Sequence, residues 1–288
     1  MQSGDMDTET VPGIAPGQFL DQTIAFALRS ARTLRRNAAV VFWAVAFPAL
    51  FYLMTVYLFV DTSGLSTEAI GVLKATNAVS YGGFAALVVF LNTFSQSLVA
   101  DIEDGRYAQF RALPVSPSAD FVGRFAAAFV LALGAVGAVL AVGVATGATF
   151  ELRSIASVPI SLLALLALGL FAAGLAVLLV SIVPDAKFAS IITISLVMLA
   201  FFLTGYNGVQ PGMVASNPAF VNYVPNALAT RLAVFHLVAI PDWSATGLAA
   251  PTAPTGPKYV GLLVGYVGVG LVMAVAVTRR SLYRGEVK

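Results

Sequence analysis

Six long apolar runs divide this chain, and they exclude most folds before any motif is considered. The runs fall at about 38–60, 79–100, 121–150, 158–183, 188–206 and 259–278. At about 1.5 Å of rise per residue, each can cross a hydrocarbon core of about 30 Å as an α-helix. A soluble core cannot enclose them: 59% of the 288 residues are hydrophobic and 10% are charged, against about 25% charged in an ordinary soluble domain. The expectation is an all-α integral membrane protein with six transmembrane helices.

Positive charge sets the orientation, because cytoplasmic loops keep an excess of lysine and arginine. With the N-terminus inside, twelve of the 16 basic residues fall in inside segments; Lys74, Arg153, Arg231 and Lys258 are left outside. Both termini and the connection 100–125 are therefore expected in the cytoplasm. Residues 1–16 are polar and acidic, lack the basic start and apolar run of a signal peptide, and read as a disordered tail. Residues 17–278 then form one membrane domain, and 279–288 a basic tail.

Two stretches outside the runs are amphipathic. Leu20, Ile24, Ala27, Ala31 and Leu34 recur at helical spacing, with Arg29, Arg32 and Arg36 on the other side. That pattern suits an interfacial helix at the inner leaflet, its arginines toward anionic head groups. In 100–125, Ile102, Tyr107, Phe110 and Leu113 make an apolar side, while Arg106, Gln109 and Arg111 face away. Pro114 and Pro117 end this short helix and aim the chain into the third run. A short surface helix joined rigidly to two spans is a lever for a cytoplasmic partner. Between the fifth and sixth runs, 217–243 is too apolar for a solvated loop and too broken by proline to span, so it reads as one or two re-entrant helices. Pro48 inside the first run is expected to kink it.

The search for chemistry returns mostly negatives. Without cysteine there is no disulfide or thiolate, and one histidine makes no convincing metal site. No phosphate-cradling G-x-x-x-x-G-K-[ST] loop occurs. "GYVGVG", Gly265 to Gly270, lies within a span and reads as helix packing, as do Gly143 and Gly147. His236 stands alone on an apolar stretch and reads as a satisfied interfacial residue. The central parts of the runs carry no ionisable side chain, which argues against an ion-coupled transporter or a charged-ring channel. Asn92 and Gln96 lie one turn apart on one face of the second run, and the fifth ends in Thr204, Tyr206 and Asn207. Hydrogen bonding between helices and a translocation path both account for them.

The stretch "EDGRYAQFRALPVSPSADFVGRF", Glu103 to Phe125, resembles a known motif. It is similar to the acidic patch, glycine and Leu-Pro-Val-Ser helix between the second and third spans of type-2 ABC exporter permeases, the drug, lipid and polysaccharide export class. The likeness extends to the N-terminal elbow, the six spans, "YVPNALATRLAV" and the basic tail. It departs where the family often has Gly-Thr-Leu-Glu; here Gly105, Arg106, Tyr107 and Ala108 stand, so no salt bridge is carried over to that position. The resemblance implies a permease subunit in the cytoplasmic membrane of a prokaryote, paired with a second permease as homo- or heterodimer. It implies an ABC ATPase subunit docked on Glu103, Asp104, Gly105, Arg106, Tyr107, Phe110, Arg111, Leu113 and Pro114. ATP and magnesium would belong to that partner, with no cofactor or nucleic acid bound by this chain. The cargo expected is amphiphilic or hydrophobic. An ion-coupled secondary transporter and a non-transporting assembly protein are the alternatives.

Overall fold

The computed structural model describes residues 16–183, 185–202, 211–213, 215–240 and 253–283. All regular structure among them is helical. Helix α1, Pro16–Arg36, ends on Arg35 and Arg36, which suit the negative end of its dipole. Asn37 takes extended backbone geometry and turns the chain. Its carboxamide oxygen accepts from Val40 N at 3.2 Å, capping α2, Ala38–Phe59. Ahead of Pro48, where a kink is expected, the helix opens into a widened turn, Phe42–Ala46, and Phe47 N reaches back to Phe42 O. A proline ring collides with the carbonyl four residues before it, and the wider turn makes room.

Helix α3, Thr67–Glu103, runs 37 residues, about 55 Å at 1.5 Å per residue. It corrects the sequence reading, which began this span at residue 79 and left 61–78 as a loop. Ser66 caps the helix by accepting from Ala69 N at 3.2 Å, and Glu68 sits in the first turn. Polar Glu68, Lys74, Thr76 and Asn77 hid this start from hydropathy. Thr76 and Asn77 return their polar atoms to Val72 O and Leu73 O, which lets them be buried. A widened turn also interrupts α3 at Val88–Thr93.

After the short α4, Arg106–Arg111, come α5, Pro117–Ala145, and α6, Ser157–Ile182. Next are α7, Ala186–Phe202, and α8, Pro225–Leu237, with a tight turn at Pro218–Tyr223 before α8. The last helix is α9, Pro257–Arg280, which winds on in wide turns over Thr278–Tyr283. Among the described residues, five helices (α2, α3, α5, α6 and α9) are long and apolar enough to cross a membrane. The sixth expected span is seen as the apolar helix α7, described over Ala186–Phe202; Thr204, Tyr206 and Asn207 lie outside the described residues.

Helix α3 is the axis of the bundle: most of its apolar stretch is buried, whereas most of that of α9 is exposed. It meets α5 along one side and α8 and α7 along others. Rings of Tyr81, Phe84 and Phe201 join α3 to α7 at centroid distances of 5.0 and 4.8 Å. Gly174 and Gly270 bring α6 and α9 into backbone contact, where a Cβ on either would strike the other helix's main chain. Gly143 likewise packs on Ala78, whereas Gly265 and Gly268 face open space and Gly147 makes a turn at φ +91. Packing thus accounts for Gly143 and Gly270 alone of these five. His236 lies 3.4 Å from the Ser157 hydroxyl, which gives its ring nitrogen a partner.

Candidate functional site

Helix α3 stops because Gly105 takes the left-handed conformation, φ +69, that other residues resist. Six residues of α4 follow, then Pro114 and Pro117. Ser116 caps α5 through Ala119 N at 3.3 Å, with Pro117 in the first turn. Gln22 of α1 clasps this turn from both sides: its Nε2 donates to Pro114 O at 3.1 Å, and its Oε1 accepts from Ser116 N at 2.8 Å. Helix α1 also lies tight on α5, since a Cβ at Gly123 would strike Thr23 O and Phe26.

Beneath α4 sits a knot of charge. Asp101, 5% exposed, holds three arginines. Arg29 Nη2 reaches its Oδ1 at 2.5 Å, Arg106 Nη1 the same oxygen at 3.2 Å, and Arg124 Nη2 its Oδ2 at 2.7 Å. Arg124 also approaches Asp120 Oδ1 at 3.3 Å and donates to Ser97 Oγ at 3.2 Å. The other Asp120 oxygen accepts from Tyr107 at 3.2 Å and Tyr283 at 3.3 Å. A buried charge is tolerated only when paired and hydrogen-bonded, so each member here depends on the rest. Burial, aided by the Asp120 carboxylate, pushes both the Tyr107 and Tyr283 phenols up, keeping them protonated donors. A cavity of about 190 Å³ adjoins the knot, with Arg29, Arg124 and Asp101 in its wall.

The tail of α9 closes the arrangement. Arg111 Nη1 donates to Leu282 O at 2.9 Å, and the Tyr107 and Tyr283 rings meet edge to face at 5.6 Å. Five elements (α1, α3, α4, α5 and the end of α9) are therefore tied at one point. What the arrangement offers is mechanical: side-chain contacts join α4 to three spans. Among the described residues no cluster of His, Asp and Glu side chains could hold a metal ion.

The site residues expected from sequence separate into two sets. Glu103, Asp104, Gly105, Arg111, Leu113 and Pro114 are exposed, Leu113 at 57%. Tyr107 is buried, and Phe110 packs on Phe26 and Tyr107 at centroid distances of 5.5 and 5.6 Å, with the Arg29 guanidinium 5.4 Å away. Two face assignments are corrected. Arg106 does not simply face away but binds Asp101 and Asp104, the latter at 3.0 Å. Arg29 turns inward to the same Asp101 instead of joining Arg32 and Arg36 on the outer face. In both cases the buried carboxylate demands the cation. Asn92 Oδ1 accepts from Gln96 Nε2 at 3.1 Å and from Thr193 of α7 at 2.9 Å, bonding two helices; Gln96 itself is exposed.

Asp101, Asp120, Arg124 and Tyr283 were missed. Their signal was the i, i+4 pair Asp120 and Arg124 set among apolar residues, hidden because Arg124 counts equally well as a positive flank.

A family model for the ABC-2 type transporter matches residues 21–214, more than half of the chain and all of the knot except Tyr283. No curated protein matches the chain. Helices fit to span a membrane, an embedded charge knot under a surface helix and the family match converge: the chain belongs to the ABC-2 type transporter family, as the membrane permease of an ABC transporter and not its nucleotide-binding domain.

Proposed function

We propose that the chain is the permease subunit of an ATP-driven exporter and that α4 is the contact through which an ABC ATPase subunit moves it. The observation that carries this reading is the two-sided character of α4. Its inner face is fixed to the spans by Asp101, Asp120 and Tyr107, while Ala108, Gln109, Ala112, Leu113 and Pro114 stand exposed at its outer face. Membership of the family implies association with an ABC ATPase subunit. ATP and magnesium stay on that subunit, and its closure displaces α4 with the tied ends of α1, α3, α5 and α9 as one body.

The finer reading places α1 on the inner leaflet of a prokaryotic plasma membrane, with its exposed stripe Leu20, Ile24 and Leu28 in the lipid. Both termini are cytoplasmic, α8 re-enters from the outer side, a second permease copy completes the pathway, and an amphiphilic or hydrophobic cargo leaves outward past exposed Gln96. Charge distribution and the apolar spans support this reading.

Leu113→Asp tests the docking face. The tagged chain purified from its own membranes should carry ATP hydrolysis with it, and Leu113→Asp should cut that activity about tenfold or more at unchanged thermal stability. Phe110→Ala should instead lower stability, because its ring packs on Phe26. Full ATPase recovery with Leu113→Asp would sink the docking face. Single cysteines at Ser66 and Ser154 should label from outside with an impermeant maleimide and one at Gln109 should not; the reverse pattern would overturn the orientation.

A further inference from the structure

Helices α5 and α6 are neighbours in sequence yet touch little, and the space between them is a recess of about 270 Å³. Its floor is α3 at Val79 and Gly83 and its end wall is α8; Leu140, Leu162, Leu165 and Ala233 are among the apolar side chains lining it. Every lining residue is uncharged, and the only hydroxyls are those of Ser161 and Thr230. An apolar cavity of about 150 Å³ already stays dry and takes up apolar guests, so water is the wrong occupant for this larger one.

Three features say what the occupant is. Val158 and Leu162, on the rim, are 45% and 43% exposed on a helix fit to span a membrane, so the recess opens sideways onto hydrocarbon. From Val158 to Leu168 the lining follows α6 for about 15 Å, half of a hydrocarbon core of about 30 Å and so the depth of one leaflet. At the Val158 end the loop before α6 is shaped for a lipid surface: Ile155 is 98% exposed, Leu152 53%, and Arg153 is exposed between them. Arg153 is held in place there. Its Nε donates to Phe235 O at 3.1 Å, its guanidinium stacks 3.8 Å from the Phe235 ring, and its backbone N donates to His236 O at 3.2 Å. Glu151, two residues before it, is the acid of the same loop.

The geometry points to this recess as a binding site for one acyl chain of an anionic membrane phospholipid, inserted between α5 and α6 with its phosphate beside Arg153. Ser161 adds a detail. Its hydroxyl is buried without a partner one turn below Val158, whereas Thr76, Thr193 and Ser195 return theirs to the carbonyl four residues back. A single polar group therefore stands near the depth of an acyl ester. The site is distinct from the charge knot and does not depend on what the exporter carries.

The test uses the full chain in phosphatidylcholine nanodiscs, with phosphatidylglycerol bearing a diazirine in one acyl chain as the probe. After illumination, adducts should concentrate on Leu140, Leu165 and Ala233, saturate with probe, and be displaced by unlabelled phosphatidylglycerol. Ala233→Phe fills the recess and should lower those adducts about tenfold, with adducts at membrane-exposed Val130 and Leu199 unchanged. Val136→Phe, from the facing helix, should reproduce the loss and covers the case in which one variant does not fold. Arg153→Gln should weaken competition by phosphatidylglycerol about fivefold, the effect of one basic residue at an anionic surface, and leave phosphatidylcholine competition alone. Adducts in the recess no denser than at Val130, or equal displacement by decane, would overturn the acyl-chain site. Unchanged competition in Arg153→Gln would overturn the placement of the phosphate.

Discussion

The two ends of the bundle solve the same problem, a cation beside lipid, in opposite ways. At the α4 end, Arg29, Arg106 and Arg124 share Asp101, and Asp120 completes the network. At the other end, cations are matched to neutral groups. Lys74 Nζ donates to Thr146 O at 2.7 Å with the Tyr57 ring 5.4 Å away, and Arg153 rests on a carbonyl and a ring. Shared charges make each partner indispensable, because removing one strands the others in a medium that cannot solvate them. Removing a cation from neutral partners loses a hydrogen bond and a ring contact but strands no charge. The contrast teaches where the bundle is cross-linked: the α4 end is tied through shared charges, and the opposite end holds its cations one at a time.

Arg124→Ala should break the contrast most severely. It leaves Asp101 and Asp120 buried with fewer counter-charges and should cost about 3–5 kcal/mol in reversible unfolding from mixed micelles. A loss below about 1 kcal/mol would mean that the knot is wet and its members independent.

Raising the pH attacks the same end from its phenols. Unfolded tyrosines ionise near pH 10, while Tyr107 and Tyr283 hold their protons above it. Folding therefore retains protons that the unfolded chain releases. Stability from these groups is intact below pH 10 and falls above it, by up to about 1.4 kcal/mol per pH unit for each phenol. Combined Tyr107→Phe and Tyr283→Phe should flatten the fall between pH 10 and 11 relative to wild type. Parallel curves would show that neither phenol is sequestered.

Asn92→Leu sharpens the comparison from mid-bundle. It removes a neutral bond from α3 to α7, while Thr193 keeps Ala189 O as an acceptor. The cost should be about 1 kcal/mol, and a change in transport larger than the stability loss would favour a pathway role for this face. Lys74→Met should do least. Its stem packing survives; the bond to Thr146 O and the contact with the exposed Tyr57 ring are lost, so about 1 kcal/mol or less is expected. If Lys74→Met matched Arg124→Ala, the distinction between the ends would collapse.

Much of the fold was legible because lipid imposes a length: α2, α5, α6 and α9 start and stop within a few residues of the apolar runs. The start of α3 was not, since Lys74, Thr76 and Asn77 look like loop until the carbonyls that receive their side chains are known. The surface helix was legible from Gly105, Pro114 and Pro117, whose backbone limits act locally. Its inner partners were not. Arg29 and Asp101 are 72 residues apart, and no pattern within one helix says that an arginine will turn toward a carboxylate on another. Phe110 shows the same limit: apolar spacing said that it would be covered, and only the packing of α1 says that Phe26 covers it.

The widened turn at Val88–Thr93 gives α3 one residue more than a regular helix would use there. Everything beyond it is out of phase with everything before it by one residue's worth of rotation, about 100°. With that phase step, the helix presents Phe84 to the aromatic cluster and Asp101 to the arginines. It also makes the turn a vernier. Tightening it to regular geometry would swing Asp101 by about 100° and pull it from Arg124, so the grip of the arginines and the pitch of α3 are two readings of one setting.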